Sequence, residues 1–140
     1  MASRLTEVIV DCHDLEVLAD FWCEVLGYER VASGEGWLAI RPPGPTPSGD
    51  DLVTGPQPPA LAFVRVPADK VAKNRVHVDV TPTDRGQAAE VDRLLDIGAR
   101  PVDIGQGLTP WIVLADPEGN EFCVMPAAGG EAVKPASTTR

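Results

Sequence analysis

One arrangement governs what this chain can become. A strand-like segment, a capped helix and a run of short strands occur once and then recur about 70 residues later. Leu5–Asp11 is rich in β-branched residues and reads as a strand. Asp14 is a good N-cap and Gly27 a good C′ residue, and between them Leu15, Leu18, Phe21, Trp22, Val25 and Leu26 recur at helical spacing. Strand-like segments follow at Tyr28–Ala32 and Trp37–Arg41, separated by a turn at Ser33–Gly36, and another at Ala60–Val66. The second copy opens with a strand over Arg75–Val80. It continues with a helix capped by Asp84, with Gln87 three residues on as a capping box, an apolar stripe of Ala88, Val91, Leu94 and Leu95, and Gly98 at its end. Strands at Ala99–Asp103, Trp111–Ala115 and Glu121–Met125 complete it. The offset between Asp14 and Asp84 is 70 residues, and that between Gly27 and Gly98 is 71. The pattern is a duplicated βαβββ unit, an α+β chain with eight strands and two main helices.

The modules span about 5–66 and 75–126 of a single domain over 1–126, and 140 residues suit one domain. Between β-like segments, Pro42–Pro59 is rich in proline and glycine and reads as a long loop. Residues 127–140 are small, polar and aperiodic and read as a disordered tail. Twenty-one acidic against 12 basic residues give a net charge of −9, which argues against nucleic acid and against an anionic membrane surface as partners. No apolar run is long enough to span a bilayer, and the first residues lack a signal-peptide pattern, so a cytoplasmic location is expected. The three cysteines, Cys12, Cys23 and Cys123, form neither a disulfide framework nor a CxxC pair.

Strand alternation divides the side chains into two faces. In Arg75–Val80 the valines Val76, Val78 and Val80 face the helix layer, leaving Arg75, His77 and Asp79 together on the other side. The same reading places Glu7, Asp11, Trp37, Arg41, Trp111, Glu121 and Cys123 on that non-helix face. A face combining tryptophans with a few ionisable groups suits either a small-molecule cleft or a solvated sheet surface. No phosphate loop, GxSxG or HExxH pattern is present. His77 is the one histidine on the polar face and the natural acid–base residue, while His13, just before the first helix, reads as surface.

Several of these motifs carry a resemblance. Asp14 with Phe21-Trp22 and Leu26-Gly27, the turn Asp116-Pro117-Glu118-Gly119-Asn120, and the segment Lys73-Asn74-Arg75-Val76-His77-Val78-Asp79 with the ending Glu121-Phe122-Cys123 resemble the vicinal oxygen chelate superfamily. The likeness runs from about Val8 to Pro126 and is strongest to its bacterial glyoxalase-like domain subgroup, within the glyoxalase/bleomycin-resistance group. It implies paired βαβββ modules whose eight strands curve into a half-barrel sheet, a cleft between the modules, and a homodimer. It also implies a small-molecule ligand: a small oxygenated metabolite handled by a lyase or isomerase type of enzyme, with a non-catalytic antibiotic binder of bleomycin-resistance type as the alternative.

Members of this superfamily often hold a divalent metal, and the motif positions map here to Glu7, His77 and Cys123. The cysteine stands where a glutamate is usual, and the fourth strand, Leu61-Ala62-Phe63-Val64-Arg65, offers no ordinary ligand. No resident cofactor is therefore expected; a divalent zinc, nickel or iron ion, if bound, would use those three residues. The expected catalytic residue is His77, and the expected substrate-binding residues are Trp37, Arg41, Phe63, Arg75, Asp79, Trp111 and Glu121.

Overall fold

The computed structural model describes residues 2–44 and 58–127. Positions 45–57 of the expected proline-rich loop, and all but the first residue of the expected tail, lie outside the described residues. The chain divides into two compact units, Met1–Ala68 and Asp69–Arg140, each a βαβββ module with a four-stranded sheet. The eight strands and two helices expected from the sequence are present, the strands shared four and four between two sheets.

The first unit contains β1 (Glu7–Cys12), α1 (Leu15–Leu26), β2 (Glu29–Gly34), β3 (Trp37–Arg41) and β4 (Ala60–Arg65). Its sheet runs β1-β4-β3-β2, with β1 parallel to β4 and the other pairs antiparallel. Both ends of α1 are fixed locally. The Asp14 carboxylate accepts hydrogen bonds from the Glu16 and Val17 amides at 3.1 Å, satisfying N–H groups that the first turn leaves open. Gly27 adopts the left-handed conformation at φ 65° and ends the helix, while the Tyr28 amide reaches back to the Cys23 carbonyl at 3.1 Å. The helix packs Leu15, Leu18, Ala19, Phe21 and Trp22 inward against β3 and β4, with Phe21 and Trp22 edge to face at 5.5 Å between ring centres. On its outer side the Arg30 guanidinium of β2 bridges Glu16 and Asp20.

The second unit repeats the topology. It contains β5 (Val78–Val80), α2 (Gln87–Asp96), β6 (Arg100–Pro101), β7 (Ile112–Ala115) and β8 (Glu121–Val124), in the order β5-β8-β7-β6 with β5 parallel to β8. Phe122, Leu114, Val124 and Leu94 are completely or almost completely buried at its core. The Asp116–Asn120 turn before β8 satisfies itself. Buried Asp116 accepts hydrogen bonds from the Glu118 and Asn120 amides and from the Asn120 side chain, at 2.9–3.2 Å, and Gly119 supplies a positive φ of 89°.

This unit departs from the sequence expectation in three places. The strand expected over Arg75–Val80 begins only at Val78, and Val76 is 79% exposed instead of facing the helix. Its partner β8 starts at Glu121, whose carboxylate takes the Asn74 amide at 3.0 Å, so the chain upstream of Val78 is held by a side chain and not by a ladder. Asp84 does not cap α2, because it forms a two-point pair with the Arg85 guanidinium at 2.8 and 3.0 Å, and the helix starts after Gly86. Gln87 is no capping-box partner. Its amide nitrogen donates to the Pro110 and Val124 carbonyls at 2.9 and 2.8 Å. Consequently the buried face of α2 is Gln87, Glu90 and Leu94 rather than a stripe through Ala88, which is exposed. The Glu90 charge is matched there by Arg93 at 2.7 and 2.9 Å, with Arg85 at 3.5 Å. Finally, β6 is a two-residue strand at the edge of the sheet, followed by a long bond from the Val102 amide to the Val113 carbonyl at 3.4 Å. Among the described residues no helix is long and apolar enough to cross a membrane.

Candidate functional site

The second sheet brings its chemistry together through register. Asp79 on β5 stands opposite Cys123 on β8, and Cys123 opposite Val113 on β7, so these side chains share one face. His77, two residues before Asp79, lies on the same side. Its Nε2 is 3.4 Å from the Asp79 Oδ1. Donor atoms of His77, Asp79 and Cys123 all lie within 4.8 Å of one another. The cluster is graded in exposure: the His77 and Asp79 side chains are about half exposed, at 43% and 52%, whereas Cys123 is 5% exposed at the base.

That base is electrostatically defined. Burial pushes the Cys123 thiol up from its ordinary value of 9.0, and the neighbouring Asp79 charge and the S–H bond donated to that carboxylate raise it further; the Lys73 ammonium opposes them more weakly. The thiol is therefore protonated at neutral pH and is no ready nucleophile. Asp79 stands beside this thiol across the β5–β8 pair, and its carboxylate faces the His77 ring.

These donors suit a borderline metal. Nitrogen, oxygen and sulfur ligands match zinc, whose tetrahedral sites hold donors about 3.3–3.8 Å apart, and the His77–Asp79 pair already has that spacing. Loading would require Cys123 to give up its proton. Asp79, expected from sequence as a substrate contact, is the third member of this group beside the expected ligands His77 and Cys123. Glu7 stands at the start of β1 in the first unit, opposite Ala60.

The remaining expected residues fall in distinct places. Arg75 is exposed in the bend before β5, and Trp111, 37% exposed, immediately precedes β7. Glu121 has both carboxylate oxygens engaged by the chain: Lys70 Nζ reaches Oε1 at 2.9 Å and the Asn74 amide reaches Oε2 at 3.0 Å. Burial opposes its charge, but these two partners outweigh burial and hold the carboxyl below its ordinary value of 4.5. In the first unit, Trp37 and Arg41 share a face of β3, Trp37 being 39% exposed with its indole against Gly34. Phe63 is fully buried. It pairs with Val10 and Leu38, on the face opposite Ile9 and Trp37, and so belongs to the core rather than to an open surface. The continuous burial of Ala60–Phe63 left no alternation from which to read that orientation. Lys73 and Asn74 belong to the segment that carries the family resemblance, but their actions on Cys123 and Glu121, like that of Lys70 on Glu121, have no sign in the local sequence.

The description "Glyoxalase-like domain" belongs to the family model that matches residues 7–125. Among solved structures, the chain is similar to a fosfomycin resistance protein, FosX, from Mesorhizobium loti, with a TM-score of 0.62 at 14% identity over 91% of this chain and 94% of that one. It is similar also to a glyoxalase-related enzyme from Fulvimarina pelagi, with a TM-score of 0.58 at 15% identity over 97% and 100%. A third similar structure is the bleomycin-binding protein of Streptomyces verticillus, with a TM-score of 0.53 at 18% identity over 91% and 100%. At these identities the likeness is one of fold. No curated protein sequence matches the chain. The doubled βαβββ topology and the family match over 7–125 together show that the chain belongs to the glyoxalase-like domain family of the vicinal oxygen chelate superfamily.

Proposed function

We propose that this protein binds a small oxygenated molecule on the polar face of its second sheet and acts on it as a lyase or isomerase, with His77 as the acid–base group. The carrying observation is the His77–Asp79–Cys123 cluster, a half-exposed imidazole backed by a carboxylate that stands beside a buried thiol. Such an imidazole can take a proton from a carbon or oxygen of the ligand and return it elsewhere, while Asp79 holds the ring in one orientation. Trp111 and Arg75, from the same unit, offer an aromatic wall and a cation to the same ligand. A zinc-like ion bound by His77, Asp79 and Cys123 would polarise a substrate oxygen as a Lewis acid. Such an ion and a proton relay compete for the same imidazole, so added zinc should alter turnover and not leave it unchanged.

The test is a panel of small hydroxy acids, epoxides and α-oxo compounds, together with fosfomycin and bleomycin. Each compound is assayed for turnover and for thermal stabilisation with the natural protein and with His77→Asn. Turnover of one compound, reduced about 10²-fold or more in the variant, supports the reading. Stabilisation without turnover, equal in both proteins, would make this a binding protein in which His77 moves no proton.

A further inference from the structure

The Lys70–Asn74 segment leads directly into His77, and it is held to the sheet chiefly through one residue. The Glu121 side chain is only 10% exposed at the start of β8, and it spends both oxygens on this segment: the Lys70 ammonium at 2.9 Å and the Asn74 backbone amide at 3.0 Å. Lys70 adds a bond to the Ala72 carbonyl at 2.6 Å, and its stem passes the open α-carbon of Gly119. The Asn74 side chain approaches the Asn120 amide oxygen at 3.4 Å. Between Asn74 and Val78 no ladder bond fixes the backbone, since β5 pairs with β8 only from Val78 onward. The position of His77 is thus defined on one side by a three-residue strand and on the other by the Glu121 clamp.

We propose that Glu121 is a positioning residue for the His77 site: it fixes the 70–74 segment and thereby sets His77 over Asp79 and Cys123. This rests on the reading that His77 is the working group. It assigns Glu121 a role distinct from touching substrate, since both of its oxygens are already used by the chain. The absence of a longer β5 ladder explains why a side-chain anchor is needed. A carboxylate paired with the Lys70 ammonium holds the Asn74 amide more strongly than a neutral acceptor would.

The experiment compares the full-length natural protein with Glu121→Ala and Glu121→Gln. Three quantities are read: amide hydrogen exchange across the chain, nuclear Overhauser contacts from the His77 ring to the Asp79 and Cys123 side chains, and cobalt(II) titration followed by thiolate-to-cobalt absorption. In Glu121→Ala, Asn74 amide exchange should speed up about tenfold or more while exchange in α1 and β3 is unchanged. The His77 contacts should weaken in the same variant. Glu121→Gln, which keeps a neutral acceptor for the Asn74 amide, should restore much of both. Faster exchange at Asn74 with undiminished His77 contacts would overturn the proposal, leaving Glu121 a purely structural anchor. Unchanged exchange at Asn74 would overturn it too. If the natural protein shows no cobalt absorption, metal holding by the cluster fails, while the exchange and ring contacts still decide the role of Glu121. Should Glu121→Ala fail to fold, Lys70→Met removes the ammonium from the other end, and the same ring contacts must weaken.

Discussion

Gln87 ties three parts of the second unit together with one side-chain amide, and its replacement by methionine isolates that contribution. The residue is 3% exposed, and its nitrogen donates to the Val124 carbonyl at the end of β8 and to the Pro110 carbonyl before β7. Methionine has nearly the same volume, so little cavity is created. The loss is therefore polar. The buried bond to Val124 leaves an acceptor without its partner, costing about 1–3 kcal/mol, and the half-buried bond to Pro110 costs about 0.5–1.5 kcal/mol. Together they amount to about 1.5–4.5 kcal/mol. For a domain of this size, that lowers the melting temperature by roughly 5–18 °C. Thermal and urea unfolding of Gln87→Met against the natural protein measure it. Glu at the same position gives a second check with a defined sign. Two carbonyls disfavour a carboxylate, so its pKa in the folded protein lies above the unfolded value of about 4.3. The protonated acid keeps one donor, so the deficit relative to the natural protein is smallest below the unfolded pKa. It grows as pH rises through the folded pKa. A Gln87→Met protein within about 0.5 kcal/mol of the natural one, or a Gln87→Glu deficit that does not vary with pH, would refute the claim that these two bonds join helix, strand and loop.

Further outcomes follow from other sites. A β-carbon at Gly34 would stand 2.3 Å from the Trp37 indole nitrogen, so Gly34→Ala should displace this partly exposed ring. The indole NMR signal of Trp37 should move while those of Trp22 and Trp111 stay in place. Because Cys123 is buried and its thiol is pushed up, its labelling by a thiol reagent at pH 8, located by mass spectrometry, should be at least about tenfold slower in the folded than in the urea-unfolded chain. The Glu121 carboxyl is held below 4.5, so the stability advantage of the natural protein over Glu121→Gln should be fully present above that value. It should fade as pH falls through the depressed folded pKa, as read by urea titrations between pH 3 and 7. If zinc binds at the cluster, isothermal titration should show weaker binding for both Cys123→Ser and His77→Asn, and no such loss for Arg30→Gln, whose side chain pairs with Glu16 and Asp20 in the first unit.

What could be read from the sequence was local. The first helix was legible at both ends because Asp14 and Gly27 act on amides and carbonyls within four residues of themselves. The sharing of a face by His77 and Asp79 was legible because a period of two needs only their separation. The Asp84 cap was misread because its competitor, Arg85, was adjacent, and because Gln87 finds acceptors 23 and 37 residues away, at Pro110 and Val124. The start of β5 was set too early because the acceptor of the Asn74 amide, Glu121, is 47 residues distant. The union of Asp79 with Cys123 depends on a parallel register between β5 and β8, which no local pattern encodes. Phe63 was assigned to the ligand side because a strand buried on both faces gives no periodic sign of its orientation.

The parallel pairings have a consequence for how the chain is made. Among the described residues the first strand of each module pairs only with the last, Glu7 facing Ala60 across 53 residues (60 minus 7) and Val78 facing Phe122 across 44 (122 minus 78). A ribosome-bound chain can form α1 and the β2–β3 hairpin early, from neighbours in sequence. β1 must wait with its edge open until β4 has left the exit tunnel, and β5 waits likewise for β8. Folding of each module is therefore gated by the arrival of its final strand, the slow step expected for non-local pairing. During synthesis the interval of greatest exposure to aggregation ends only when Arg65, and later Val124, has emerged.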